Sequence, residues 1–429
     1  MANVYENVGP IALLPGVRRF NFWTYMYAAF ICIAMLAGMN FLQIYLLEVN
    51  LQIPRGEQGA LTGLLAFCTE VVALVLIVPF GVWSDRHGRR PIMVGGLILC
   101  GIGYGLYPLV DTTTKLIVFR IIFAVGVAAL SAVVATVGND YTQEKSRGRL
   151  FGFSGVMNGL GVVFMSAGIA QIPAFLQNQG YTPVQAGHGM FFAAALLCLV
   201  SAIIMRAGLQ DGMPVRKTER PPAKEMLTSG LRATSNPRIV LSYLAAFAGR
   251  SDNAIKGLFV SAWVINVAPA EGVSVPDAMA YAGILMAMMG GATMVWMPVF
   301  GFIIDKLNRV TGMALAMGLA ALGYCSMGLI TSPFDPAMRP AFILMAIGQG
   351  SAIVASITLV GQEAGEAERG TIIATSGWFG ALGILIASLA GGILFDVISP
   401  AAPFVMIGVF QAVVLLCAVF IRLRAPGKF

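Results

Sequence analysis

Charge is scarce in this sequence. Asp, Glu, Lys and Arg make up 11 % of its 429 residues, where a soluble globular chain carries about a quarter, and that deficit excludes an ordinary soluble enzyme. Histidine is scarcer still, with only His87 and His188. Without more such ligands, and without a phosphate-cradling GxxxxGK(S/T) loop, the chain offers no paired haem or metal ligation and no means of coupling ATP. The six cysteines form no CxxC pair. Cys32, Cys68, Cys100, Cys198, Cys325 and Cys417 all sit in apolar runs and read as small hydrophobic residues rather than a disulfide framework. The run Gly101-Ile-Gly103-Tyr-Gly105 follows no strand, so it is no dinucleotide fingerprint. No cofactor and no metal are expected, and the chain reads as a non-enzyme.

What the sequence has in abundance is apolar length. Hydrophobic residues account for 58 %, gathered into runs long enough to cross a bilayer, which takes about 20 residues. Twelve runs are bounded by charge, Pro or Gly, at about 24–47, 58–83, 91–110, 116–138, 150–175, 187–205, 239–265, 278–304, 310–332, 340–361, 371–395 and 399–421. The first is too long for a signal-peptide core and shows no cleavage site, so it is expected to remain as a span. The expected fold is all-α and integral to the membrane, with twelve transmembrane helices.

Basic residues set the orientation, because those near span ends are retained on the cytoplasmic side. Of the 27 Lys and Arg, 21 fall in the termini and connections that lie inside if the N-terminus is cytoplasmic, and only Arg55, Lys115 and Arg339 fall outside. A multi-pass protein of the cell inner (plasma) membrane follows, with both termini in the cytoplasm. The same spread removes nucleic acid as the partner that a net charge of +7 invites, since no single basic patch with stacking aromatics exists.

The longest connection, residues 207–238, is rich in Pro and charge (Arg216-Lys217, Glu219-Arg220-Pro221-Pro222) and suits a flexible cytoplasmic linker. It separates six spans in 1–206 from six in 239–429. An internal repeat relates the two sets. Pro79-Phe80-Gly81 with Asp85-Arg86 returns as Pro298-Val299-Phe300-Gly301 with Asp305-Lys306, and Arg147-Gly148 with Ser154-Gly155 returns as Arg369-Gly370 with Ser376-Gly377. The offsets agree, 220 residues from Gly81 to Gly301 and 222 from Arg147 to Arg369.

The stretch Gly81-Val82-Trp83-Ser84-Asp85-Arg86-His87-Gly88-Arg89-Arg90 resembles the loop signature of the major facilitator superfamily, GxxxDRxGR(R/K), and stands directly after the second span, where that family carries it. With the span count and the repeat, the resemblance covers essentially the whole chain. It implies two pseudo-symmetric six-helix bundles rocking about a central site. It also implies a gating role for Gly81, Asp85, Arg86, Gly88, Arg89 and Arg90, joined through the repeat by Asp305, Arg147 and Arg369. In the family the signature Asp interacts with the start of the eleventh helix, and a carboxylate such as Asp85 would there meet the positive end of the helix dipole. The plainer alternative is that the arginines only fix topology. Two departures matter. Arg120 to Gly126 matches the family's RxxQGxG pattern only in its Arg and last Gly, and the fifth span lacks the Gly-Pro pair of the family's drug/proton antiporters.

An ionisable group at bilayer depth costs roughly 2.5–3.5 kcal/mol on the insertion scale. Five are present: Glu70 in span two, Arg120 in span four, and Arg250, Asp252 and Lys256 in span seven. Asp252 and Lys256 are four apart and share a helix face, which allows them to pair. Arg250 points about 200° away from Asp252 and needs another counter-charge. The resemblance places spans one, four, seven and ten around the cavity, so Arg120, Arg250 and Lys256 become candidate anion-binding residues, with Asn40, Gln43, Asn158 and Gln349 as candidate neutral lining. Each has a structural alternative: a salt bridge to Glu70 or a carbonyl for the arginines, interhelical bonding for the amides. Glu70 and Asp252 are candidate proton-coupling groups, because a desolvated carboxyl favours its protonated form, or else they are fixed ion-pair partners.

The sequence reading is therefore a secondary active transporter moving a small organic solute, an organic anion such as a carboxylate, by alternating access coupled to protons, working in the bilayer as a monomer. One alternative is proton-driven efflux of drugs or metabolites, although the first span holds no acid before Glu48. Another is a non-transporting receptor or assembly factor that keeps the fold.

Overall fold

A computed structural model of the chain describes residues 6–143, 146–211, 232–363 and 369–425. The apolar runs become long helices: α1 Arg19–Val49, α2 Arg55–His87, α3 Arg89–Leu106, α4 Thr113–Tyr141, α5 Arg147–Val163, α6 Pro183–Gly208, α7 Pro237–Val267, α8 Val275–Asp305, α9 Arg309–Ser326, α10 Arg339–Glu363, α11 Arg369–Val397 and α12 Ala402–Arg424. Most outrun their apolar stretch, since hydropathy marks only the part that must avoid water, whereas the helical ladder continues until its end groups find caps. Thr182 with Gln185 forms a capping box ahead of Pro183 at the start of α6, and Asn236 caps α7 ahead of Pro237. The fifth span changes pitch. A π turn, Phe164–Gly168, and a 3-10 turn, Ile169–Gln171, lead into the short helix Ile172–Asn178, where the ring of Pro173 excludes a regular bond to the carbonyl of Ile169.

Eleven of these helical segments are long and apolar enough to cross a membrane. The twelfth, α7, falls short in apolarity because Arg250, Asp252 and Lys256 interrupt its middle. The polarity of the molecule is inverted relative to a water-soluble protein: Arg120 is fully buried, while Leu196, Leu322 and Leu416 are 62–68 % exposed on α6, α9 and α12. This is a multi-pass membrane protein with the twelve-helix architecture read from the sequence.

The chain forms two compact units. Among the described residues, the first holds 6–53 and 68–211 together with Ser274–Ile284, and the second holds the remainder together with Pro54–Phe67. Helix α2 thus changes unit after Phe67, and α8 after Ile284. Of the expected linker, residues 212–231 lie outside the described residues.

Within the first unit α3 packs between α4 and α6 while α1 packs on α5; within the second α9 packs on α10 and α12 while α7 packs on α11. Close crossings need small residues. A Cβ added to Gly126 on α4 would lie 2.7 Å from the Gly96 carbonyl oxygen on α3. The repeat is carried into structure as Pro79 inside α2 and Pro298 inside α8. A β-hairpin that the sequence reading did not anticipate precedes α1: β1 Asn7–Val8 pairs with β2 Ile11–Ala12. It is fastened to the α4–α5 connection by Ala12 N to Ser146 Oγ (3.0 Å), Gln143 N to Ala12 O (3.0 Å) and Leu14 N to Tyr141 O (3.0 Å).

Candidate functional site

Three helices of the first unit converge on Arg120. From α4 its Nε donates to Thr69 Oγ1 on α2 (2.6 Å), Nη1 to Gln43 Oε1 on α1 (3.2 Å) and Nη2 to Asn40 Oδ1 on α1. The guanidinium also lies 5.4 Å from the centre of the Phe123 ring. All three oxygens are neutral, so the cluster is a fully buried cation held by amides and a hydroxyl. Gln43 is also buried, and among the described residues its Nε2 has no hydrogen-bond partner. A guanidinium and an orphan amide donor together form a buried cluster short of an acceptor. Glu70 is half-buried on α2, adjacent in sequence to Thr69.

Asn158 stands apart from this cluster. With its nitrogen turned to the carbonyls that face it, it donates to Ala29 O on α1 (2.7 Å) and to Ser154 O on its own helix (3.3 Å). That is interhelical bonding, the alternative weighed for this residue.

In the second unit the three charges of α7 go three ways. Lys256 Nζ donates to Gln349 Oε1 on α10, and Gln349 in turn donates to Asn253 Oδ1 (3.4 Å). Asp252 is fully buried and accepts at Oδ1 from Gln411 Nε2 on α12, while its backbone carbonyl accepts from Tyr324 on α9 (3.0 Å). One helical turn separates Asp252 from Lys256, yet each takes an amide from a different helix, and among the described residues no salt bridge joins them. Arg250 is exposed, and its stem crosses α11 at Gly380, where an added Cβ would meet Arg250 Cδ at 2.3 Å.

The signature, which runs from the last turns of α2 into α3, is organised around Arg89. Its Nη1 reaches Ser84 Oγ (2.6 Å) and Asp85, and its Nε reaches Asp140 Oδ2 at the end of α4 (2.9 Å). Gly88 carries φ of +92° as the cap of α3, a conformation that L side chains rarely adopt. Arg90 pairs with Asp211, and Arg86 is exposed. In the repeat Asp305 pairs with Arg309 at 2.9 Å. Arg147 and Arg369 open α5 and α11, and their side chains lie outside the described residues, as does that of Thr371, the expected meeting point of Asp85. Gly81 has no atom within 4 Å of its would-be Cβ.

The family model described as Major Facilitator Superfamily matches residues 25–373. The chain belongs to this superfamily. It is 28 % identical over 407 residues to the magnetosome protein MamH of Paramagnetospirillum magneticum, covering 93 % of this chain and 91 % of that one. It is 26 % identical to the magnetosome protein MamZ of the same organism, again over 93 % of this chain but only 62 % of MamZ's length. The class E tetracycline resistance protein of Escherichia coli is 26 % identical over 73 % of this chain and 72 % of its own. Among solved structures, the nucleoside transporter NupG superposes with a TM-score of 0.72 at 11 % identity, covering 93 % of this chain and 99 % of that one. A bacterial homologue of the lysosomal transporter Spinster superposes with a TM-score of 0.68 at 16 % identity, covering 95 % of this chain and 97 % of that one. Both share the fold of the superfamily.

Within that fold, sequence reasoning missed Asp140, Gln411, Tyr324 and Arg309. Arg309 was legible: it stands four residues after Asp305 as Arg89 stands four after Asp85. The other three carried no comparable signal, since a lone amide, phenol or helix-end acid in an apolar run looks alike whether or not it meets a charge.

Proposed function

We propose that this protein is a secondary active transporter of a small organic anion, with a carboxylate as the recognised group and Arg120 as the residue that holds it. The observation that carries this reading is the cluster itself: among the described residues, a fully buried guanidinium hydrogen-bonds to three neutral oxygens, beside Gln43 Nε2 with no acceptor of its own. A carboxylate supplies the missing negative charge and the missing acceptor together, and Arg binds it through a planar fork. Arg250 and Lys256 are further cations in the second unit, with Gln349 engaged by Lys256. Coupling to protons falls to Glu70 or Asp252, the carboxyl groups placed within spans. The transporter works as a monomer in the bacterial inner membrane with both termini cytoplasmic, supported by the Lys and Arg distribution and by bacterial relatives. The magnetosome proteins among these make that organelle an alternative location, to be decided by membrane fractionation.

Drug or metabolite efflux is the second reading, favoured by the likeness to a tetracycline resistance protein over most of the chain. One experiment separates the two. The purified protein and Arg120→Lys are melted in detergent with monocarboxylates, dicarboxylates, tetracycline, cationic dyes and neutral sugars. Ligand at 100 times its dissociation constant stabilises by about 2.7 kcal/mol. Carboxylates should raise the melting temperature of the parent and not of the variant. Stabilisation by tetracycline or dyes alone, equal in both proteins, overturns the anion reading in favour of efflux.

A further inference from the structure

Two unpartnered oxygens in the second unit belong to side chains that a hydrogen bond already joins. Asp252 Oδ1 accepts from Gln411 Nε2, while Asp252 Oδ2 and Gln411 Oε1 are both buried without a hydrogen-bond partner among the described residues. Both orphans are acceptors as long as Asp252 is ionised, so neither satisfies the other. A single proton on Oδ2 changes this. It turns one acceptor into a donor directed at the other, and the two side chains become a carboxylic acid and an amide joined by two antiparallel hydrogen bonds.

We propose that Asp252 is a resident proton-binding site, held as the neutral acid in a two-bond ring with Gln411. An ionised carboxylate in a fully buried position needs a paired cation, and its absence costs far more than burial of a hydrogen-bonded neutral group. Among the described residues no cation forms a salt bridge with Asp252, and Lys256, one turn away, acts only at longer range. On α7 itself Lys256 directs its ammonium to Gln349, and Arg250 is exposed. From α9 come Tyr324, whose hydroxyl is committed to the Asp252 backbone carbonyl, and its neighbour Cys325. The helices packed on α7 carry charge only in their terminal turns: Arg339 and Glu363 on α10, Arg369 and Asp396 on α11, Arg422 and Arg424 on α12, where Cys417 is the one other titratable side chain. Gln411 is the positioning residue, because its amide presents a donor and an acceptor side by side.

The site lacks a donor where the Arg120 cluster lacks an acceptor. Only its use in turnover rests on the proton-linked transport reading; the neutral acid stands without it. The test is infrared difference spectroscopy on the full-length protein in lipid nanodiscs at neutral pH, in H2O and D2O, with no substrate. Asp252→Asn keeps the shape of the side chain and can keep both bonds to Gln411. Subtracting its spectrum from that of the parent should leave a protonated-carboxyl C=O band, and Gln411→Leu should move that band to higher frequency as the ring is lost. Glu70→Gln should leave it in place. A difference spectrum with no protonated-carboxyl band, or with a carboxylate band instead, overturns the proposal, and a band unmoved in Gln411→Leu overturns the ring. Anions failing to stabilise the protein would sink the Arg120 reading without touching this one.

Discussion

Arg89 Nε meets Asp140 Oδ2 at 2.9 Å with both side chains 8 % exposed, tying the start of α3 to the end of α4. The same Arg also holds Asp85 and Ser84 at the end of α2, so one guanidinium joins three helix ends of the first unit. The repeat does not reproduce this. Arg309 pairs with Asp305 in the open, and at the end of α10 Glu363 takes Arg238 from the start of α7 (2.9 Å). The first unit therefore concentrates at Arg89 what the second distributes over two exposed or half-buried pairs.

That asymmetry predicts unequal mutations. Leaving a buried charge with no partner costs about 3–5 kcal/mol; Asp140→Asn takes away the buried one of the two carboxylates on Arg89 and leaves Asp85, so it should cost part of that and lower the melting temperature clearly. Asp305→Asn removes a pair whose carboxylate is 66 % exposed, worth about 0–1 kcal/mol, and should melt near the parent. Thermal unfolding of the two purified variants in one detergent checks this, and equal losses would show that Asp140 is not the anchor inferred from its burial.

The two glycines of the signature should also part company. Gly88 sits at φ of +92°, where a side chain is strained, and Gly88→Ala should destabilise by about 1–2 kcal/mol. Gly81 lies inside α2 with open space where its Cβ would be, so Gly81→Ala should stabilise by about 0.5–1 kcal/mol through helix propensity. A Gly81→Ala protein that melts higher but transports less would assign Gly81 to the conformational cycle rather than to packing.

Much of this was legible in the sequence, and the reasons are physical. A span must be long and apolar, so the helices could be read from hydropathy, and the repeat of Pro79 and Gly81 in Pro298 and Gly301 revealed the two related halves. Arg120 stood out because charge at depth is costly, and Asn40 and Gln43 were read as neutral lining. Thr69 was not, nor was the meeting of the three with Arg120: they lie 51 to 80 residues away in sequence, and nothing in one strand of text says which neutral side chains a folded bundle will bring together. The pairing of Asp252 with Lys256 was read from helix geometry alone, which cannot see Gln411 and Gln349 arriving from neighbouring helices. The hairpin before α1 was hidden because its strands are two residues long.

Helix ends outside the signature are predicted to matter too. Asp396 near the end of α11 accepts from Gly59 N (2.8 Å) and Ala60 N (2.6 Å) in the first turns of α2. The carboxylate takes the amides of the fifth and sixth residues of α2, just past the donors that a helix start leaves free, and lies towards the positive end of the dipole. It is a contact of a carboxylate with a helix start, the kind expected of Asp85, here made by a residue of α11 on α2. Asp396→Asn keeps one acceptor and loses the charge, and should cost about 0.5–2 kcal/mol. Hydrogen exchange at Gly59 and Ala60 should quicken while the core of α9 stays protected. Unchanged exchange at both amides would mean that the carboxylate is not their cap in the membrane.

The Arg120 cluster makes the sharpest prediction, because one atom can be changed in it. In Gln43→Glu the amide nitrogen that lacks an acceptor becomes a carboxylate oxygen beside the guanidinium. The orphan donor disappears, and with it a penalty of about 1–3 kcal/mol, while Arg120 gains a permanent counter-charge. The unliganded variant should therefore melt higher than the parent. The same internal carboxylate occupies the role proposed for the substrate's, so organic anions should no longer stabilise the protein. Both effects must appear together. A variant that melts higher yet still responds to anions would place the anion elsewhere, and one that melts lower would mean that Gln43 Nε2 already has an acceptor in the membrane and that Arg120 is a structural cation.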